Sequence, residues 1–189
     1  MKRPHFLAAV VISTMLLAGC TARSDDAKTA DSSKPGKMPE ELEPIKNDPP
    51  ADCPVTASGE PSFEAPAPYA PAAPWPNIFW FGSESLWTAL QANGVWEGLP
   101  HNPEGYTQKI MWWSSLYSLS DEPEPALVVT GQRLDAAAPP LKFYGATNAS
   151  AADIGEAMLT GVDFPTAGCW MVTGQYKKTG LSFTVWITP

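Results

Sequence analysis

Hydrophobic and polar positions divide the chain into three stretches. Phe6 to Ala18 is an apolar stretch behind the basic Lys2 and Arg3. It is too short to cross a bilayer as a helix, which takes about 20 residues. Thr21 to Asp52 is polar and charged, with runs such as Ser24-Asp25-Asp26 and Asn47-Asp48-Pro49-Pro50. A segment so poor in large apolar residues cannot offset its ordering entropy by burial, so a disordered tether is predicted. Met38 to Ile45 has room for one brief helical turn. From Cys53 onward apolar positions recur at short range. Leu181, Phe183, Val185 and Ile187 alternate with Ser182, Thr184, Trp186 and Thr188, the period of a half-buried strand.

Other runs extend the strand pattern. Cys169 to Thr173 precedes the last strand across Gly174 to Gly180, which predicts a terminal hairpin. Further strands are predicted at Asn77 to Phe81, Ser85 to Leu90, Gln108 to Trp113, Ala126 to Thr130 and Ala157 to Val162, with Gly82-Ser83 joining the first two. No segment carries a long helical stripe with caps. The fold class is therefore all-β: a single antiparallel β-sandwich, immunoglobulin-like, over 53–189, with a jelly roll or small barrel as alternatives. Within 61–76 six prolines exclude a central strand. That lead-in is expected to cross the sandwich surface as polyproline II, pinned by Tyr69 and Trp75.

The first stretch ends in Leu17-Ala18-Gly19-Cys20. Basic residues, a short apolar core, two small residues and a cysteine together resemble a bacterial lipoprotein signal, with 1–19 removed and Cys20 lipidated. The resemblance implies a protein tethered through the Cys20 lipid to a membrane of the bacterial cell envelope, facing periplasm or exterior, with 20–52 as its linker. Several acyl chains on one residue are needed, because a single chain binds only marginally. Thr21 stands where Asp would signal inner-membrane retention. With Cys20 used, Cys53 and Cys169 remain. In an oxidising compartment an even pair favours one disulfide over two separate thiols.

Charge agrees with export and narrows the partners. The chain has 12 basic and 20 acidic residues, and loss of Lys2 and Arg3 with the signal leaves 10 against 20. Nucleic acid needs a basic surface, so it is excluded as a partner. Docking by charge on anionic lipid is disfavoured for the same reason.

A second likeness lies in Phe164-Pro165-Thr166-Ala167-Gly168-Cys169-Trp170, followed by a strand ending Thr173-Gly174. This resembles a motif of uncharacterised bacterial exported and lipoprotein domains. Lys109 to Trp113 and Thr130 to Asp135 are similar to the same group, so the likeness covers most of 53–189. It implies a β-sandwich and a Cys53–Cys169 bond, and no activity. Met171 stands where the group often carries Glu.

Candidate chemistry is sparse. Beyond the signal the one histidine is His101, in a Pro-flanked loop, which excludes a metal site built on two histidines. Gly-x-Ser-x-Gly and phosphate-binding glycine loops are absent. Asp121, Glu122 and Glu124 lack calcium-loop spacing. No metal and no cofactor are expected. Asn148-Ala149-Ser150 matches a glycosylation acceptor, a chance match given the bacterial signal.

Eight tryptophans are the unusual feature. Trp112 and Trp113 are adjacent on a strand and must face opposite ways, one into the core and the other outward or under the lead-in. Trp170 beside Cys169 suggests packing of an indole on the disulfide. Trp75, Trp96, Trp113 and Trp186 form the candidate binding surface, since exposed indoles suit sugar rings and apolar partners. Two readings follow. One is a non-enzymatic lipid-anchored module that binds an envelope protein or glycan or supports an assembly. The other is a small glycan-directed hydrolase using paired carboxylates, which needs two carboxyls across a concave pocket, one with a raised pKa.

Overall fold

The computed structural model describes residues 48–59 and 62–189. The lipobox, the linker up to residue 47 and Met38 to Ile45 lie outside the described residues. Ten strands and no helix are found among the described residues. β1 (Ile78–Ser83), β2 (Leu86–Gln91), β4 (His101–Asn102), β5 (Gly105–Trp113), β7 (Lys142–Ala151) and β8 (Gly155–Phe164) form one sheet. Its order is β1-β2-β5-β8-β7, with β4 on β5. β3 (Val95–Trp96), β10 (Thr179–Ile187), β9 (Gly168–Tyr176) and β6 (Val128–Arg133) form the second sheet in that order. All pairings are antiparallel except the short β3–β10 contact. The chain is a β-sandwich, as the alternation of the last strand predicts.

Strand alternation sorts the side chains into two clusters. Inward residues of both sheets, including Trp96, Ile110, Trp112, Met158, Val162, Phe164, Trp170, Val172, Phe183 and Val185, make the inter-sheet core. The opposite face of the first sheet carries Trp80, Trp87, Trp113 and Ala157, and the lead-in covers them with Phe63, Tyr69, Ala73 and Trp75. Trp112 thus enters the core and Trp113 lies under the lead-in. Trp80 Nε1 donates to the Ala70 carbonyl and Tyr69 hydroxyl to that of Glu156, both at 3.0 Å. The lead-in is not one polyproline helix, because turns and bends interrupt it at 67–69 and 74–77.

Several boundaries differ from expectation. The β9–β10 hairpin is tight: Tyr176 pairs with Thr179, and the turn is Lys177-Lys178 with Lys177 at φ 51°. β1 and β2 turn at Glu84-Ser85, since Ser83 pairs with Leu86. β7 is not foreseen in the sequence. Its residues are mostly small or polar and mostly exposed, with only Phe143 and Ala146 half-buried against the inter-sheet core, and it pairs with β8, with a register shift between Phe143 and Ala146 at Gly145 (φ 92°).

Cys53 and Cys169 form the disulfide, 116 residues apart. It does not sit under Trp170. Cys169 and Trp170 are consecutive on β9, and Trp170 belongs to the inter-sheet core, so the bond lies on the outer face of the second sheet. It ties down an N-terminal segment that lies in no strand. That segment continues onto β10, where Thr56 N donates to the Thr184 carbonyl at 2.8 Å and Thr184 N to the Thr56 hydroxyl at 3.0 Å.

Candidate functional site

β5 loses its neighbour in the middle of its length, and a groove opens there. β2 pairs with it only at Trp87–Trp113 and Thr88–Trp112, and β4 only at its other end. Between them Gln108 to Met111 has no partner strand on that edge. Side chains replace the missing ladder. The Thr88 hydroxyl donates to the Met111 carbonyl at 2.8 Å, and Lys109 N donates to Gln108 Oε1 at 3.0 Å.

The groove is about 430 Å³ and is lined by Trp75, Ile78, Ala89, Gln91, Trp96, Gln108, Lys109 and Met111, among others. A smaller cleft of about 130 Å³ shares Gln91, Trp96 and Gln108 and adds Asn93 and Glu97. Two indoles therefore stand beside three primary amides. Trp96 is placed by the turn through Gly94 (φ 68°), which carries the chain from β2 to β3. It is 5% exposed and packs against Phe164 and Phe183 with ring centres 5.8 and 6.1 Å away, so only an edge reaches the groove. Trp75 is half-buried and meets Trp80 edge to face at 6.2 Å.

The four candidate indoles do not make one surface. Trp75 and Trp96 meet at the groove. Trp113 is fully buried beneath the lead-in, its Nε1 donating to the Ile154 carbonyl at 2.9 Å. Trp186 is half-buried on the second sheet, paired across the strands with Cys169. Burial removes Trp113 as a contact residue, and Trp186, on β10, lines neither the groove nor the smaller cleft. Gln91 and Gln108 were not foreseeable, because a glutamine on a strand carries no signal beyond polarity.

Polar clusters elsewhere are internally satisfied. Asp163, 2% exposed, accepts from Thr107 at 2.6 Å and from Tyr144 at 2.5 Å, while Asn102 donates to Thr107. Burial pushes the Asp163 carboxyl up, but those hydrogen bonds and Lys142 outweigh it and hold it below the usual range. Burial likewise raises Glu122, and the Ala126 N–H, the Tyr176 hydroxyl and Lys177 overcome it. Asp135 is lowered by its hydrogen bonds from Arg133, at 2.7 and 3.1 Å. These three carboxyls are all shifted toward the ionised form, the opposite of what a general acid needs. His101 is exposed and lies beside Tyr106 with ring centres 4.6 Å apart. Among the described residues no group of three or more His, Cys, Asp or Glu is placed to hold a metal.

No family model, no curated protein and no solved structure matches the chain.

Proposed function

We propose that this protein is a lipid-anchored, non-catalytic binding module of the bacterial cell envelope, and that the Trp75–Trp96 groove takes an extended glycan. The juxtaposition of two indoles with Gln91, Asn93 and Gln108 in adjoining clefts carries the reading. A sugar ring offers a flat C–H face to the half-buried Trp75 indole, an apolar contact to the Trp96 edge and hydroxyls to planar amides, and an open groove admits a polymer without end recognition. The anchor rests on Leu17-Ala18-Gly19-Cys20 and on the charged linker after it. The likeness to exported domains around Phe164 to Gly174 fits the same compartment.

Two experiments test this reading. Cys20→Ala should move the protein from the membrane fraction to the soluble fraction; retention on the membrane would refute the anchor. Binding of the detergent-solubilised full chain to purified peptidoglycan and to surface polysaccharide, read by co-sedimentation, tests the groove. Trp75→Ala should weaken it by about tenfold, the effect of losing one aromatic contact. Trp186→Ala should leave it unchanged. Equal binding by wild type and Trp75→Ala would remove the groove from the reading.

A further inference from the structure

The groove cuts into the first sheet rather than lying on one of its faces. Consecutive strand residues point to opposite faces. Ile110 packs in the inter-sheet core and Met111 with the outer cluster under the lead-in, yet both line the groove. Its other walls repeat the pattern: Trp96 belongs to the inner cluster, and Trp75 and Ala89 to the outer one. A space that meets both faces is a slot between β2 and β5. One wall of that slot is the peptide edge of β5.

The neighbouring bonds fix which backbone groups this edge presents. Thr107 N donates to the Pro100 carbonyl at 2.8 Å, so Thr107 turns its backbone groups away from β8. In an antiparallel strand every second residue does the same, so Lys109 and Met111 face the slot. Side chains meet two of their groups: Gln108 Oε1 accepts from Lys109 N at 3.0 Å, and the Thr88 hydroxyl donates to the Met111 carbonyl at 2.8 Å. The Lys109 carbonyl and the Met111 N–H remain, one acceptor and one donor, where the pairing with β2 and β4 has ended. Backbone groups of this kind bond strongly to whatever complements them. Ile78, Ala89 and the Trp75 indole supply apolar surface beside them.

We infer, building on the glycan reading of the groove, that the slot selects glycans carrying 2-acetamido groups. The acetamido carbonyl accepts from the Met111 N–H, a neighbouring ring hydroxyl donates to the Lys109 carbonyl, and the methyl lies against Ala89 and Ile78. A few placed backbone groups in an apolar cleft are the usual source of such selectivity. A sugar with a plain hydroxyl at that carbon forfeits the methyl contact and the planar acceptor. An extended peptide fits less well. Strand addition draws on a continuous row of backbone groups, and the Gln108 and Thr88 side chains already occupy half of this one.

The test is ligand-observed NMR on the detergent-solubilised full chain with N,N′,N″-triacetylchitotriose and cellotriose, which differ only in the group at each C2. The acetylated trisaccharide should bind about tenfold more tightly, as one hydrogen bond and one buried methyl together provide. Its methyl protons should take up the most saturation from the protein. Ala89→Val fills the methyl seat and should cut the ratio of the two affinities several-fold. Equal affinities, or binding of the acetylated sugar that Trp75→Ala does not weaken, would overturn the inference. Binding of a capped hexapeptide of alternating Val and Thr, with neither sugar bound, would overturn it in favour of a peptide strand. The comparison of sugars on wild type holds even if a variant misfolds. Equal binding of both sugars that depends on Trp75 refutes the acetamido selection and spares the groove. So does Trp75-dependent co-sedimentation with polysaccharide when neither trisaccharide binds. Absence of all glycan binding refutes both.

Discussion

Gly174→Ala tests the packing between the two sheets. Gly174 lies on β9 beneath Trp112, and a Cβ there would stand 2.5 Å from Cη2 and 3.0 Å from Cε3 of the indole. Ordinary contact begins near 3.4 Å, so ring or backbone must shift by nearly 1 Å. Trp112 has little freedom to move. It is fully buried, its Nε1 donates to the Thr160 hydroxyl at 3.1 Å, and Phe183 packs on it with ring centres 5.8 Å apart. Overpacking of this kind costs about 1–3 kcal/mol. Tilting the ring enough to strain the Thr160 bond adds about 1 kcal/mol. A total of about 2–4 kcal/mol corresponds to a fall in Tm of roughly 8–16 °C for a domain of this size. Urea unfolding followed by tryptophan fluorescence, with a thermal scan beside it, reads both. Gly161→Ala is the control: a Cβ there meets nothing within 4 Å, so stability should change by less than about 0.5 kcal/mol. In a Trp112→Phe background the smaller ring gives way, and Gly174→Ala should cost about 1–2 kcal/mol less than in wild type. An equal cost in both backgrounds would refute the steric account.

Two further outcomes follow from the fold. The disulfide closes a loop between residues 116 apart, which is worth about 4–5 kcal/mol in the chain-entropy model. Cys53→Ala with Cys169→Ala should lower the urea midpoint accordingly, and a loss below about 1 kcal/mol would show that the Thr56–Thr184 bonds hold the segment unaided. Asp163 has a lowered pKa when folded, so it binds protons less readily than in the unfolded chain. Its contribution is therefore present above the unfolded carboxyl value, about 4, and is lost as pH falls through the folded value. Asp163→Asn should flatten the acid limb of the stability–pH curve; an unchanged slope would place the acid sensitivity at Glu122 and Asp135.

Much of the fold is legible along the chain because the signals are local. Alternation in Leu181 to Ile187 is set by neighbours in sequence, and it identifies a half-buried strand without reference to the rest of the molecule. Adjacent Trp112 and Trp113 must part to opposite faces for the same reason. Two cysteines beyond Cys20 suffice to suggest a pair. The site is not legible in this way. Trp96 and Trp113 read as candidates equal to Trp75, yet one reaches the groove by an edge and the other is sealed by the lead-in. Which indole meets solvent depends on what a distant segment covers.

The same division runs through the molecule. Residue pattern determines that this chain makes strands, that proline excludes 61–76 from the sheets, and that one covalent tie spans the domain. Tertiary structure decides that β2 leaves β5 after Thr88, that β7 forms on the edge of β8 with only Phe143 and Ala146 turned to the core, and that Trp75 and Trp96 meet at one groove. Local pattern reports the preference of a segment for one conformation. Grooves and charge fields arise between segments far apart in sequence, and only their packing brings the groups together.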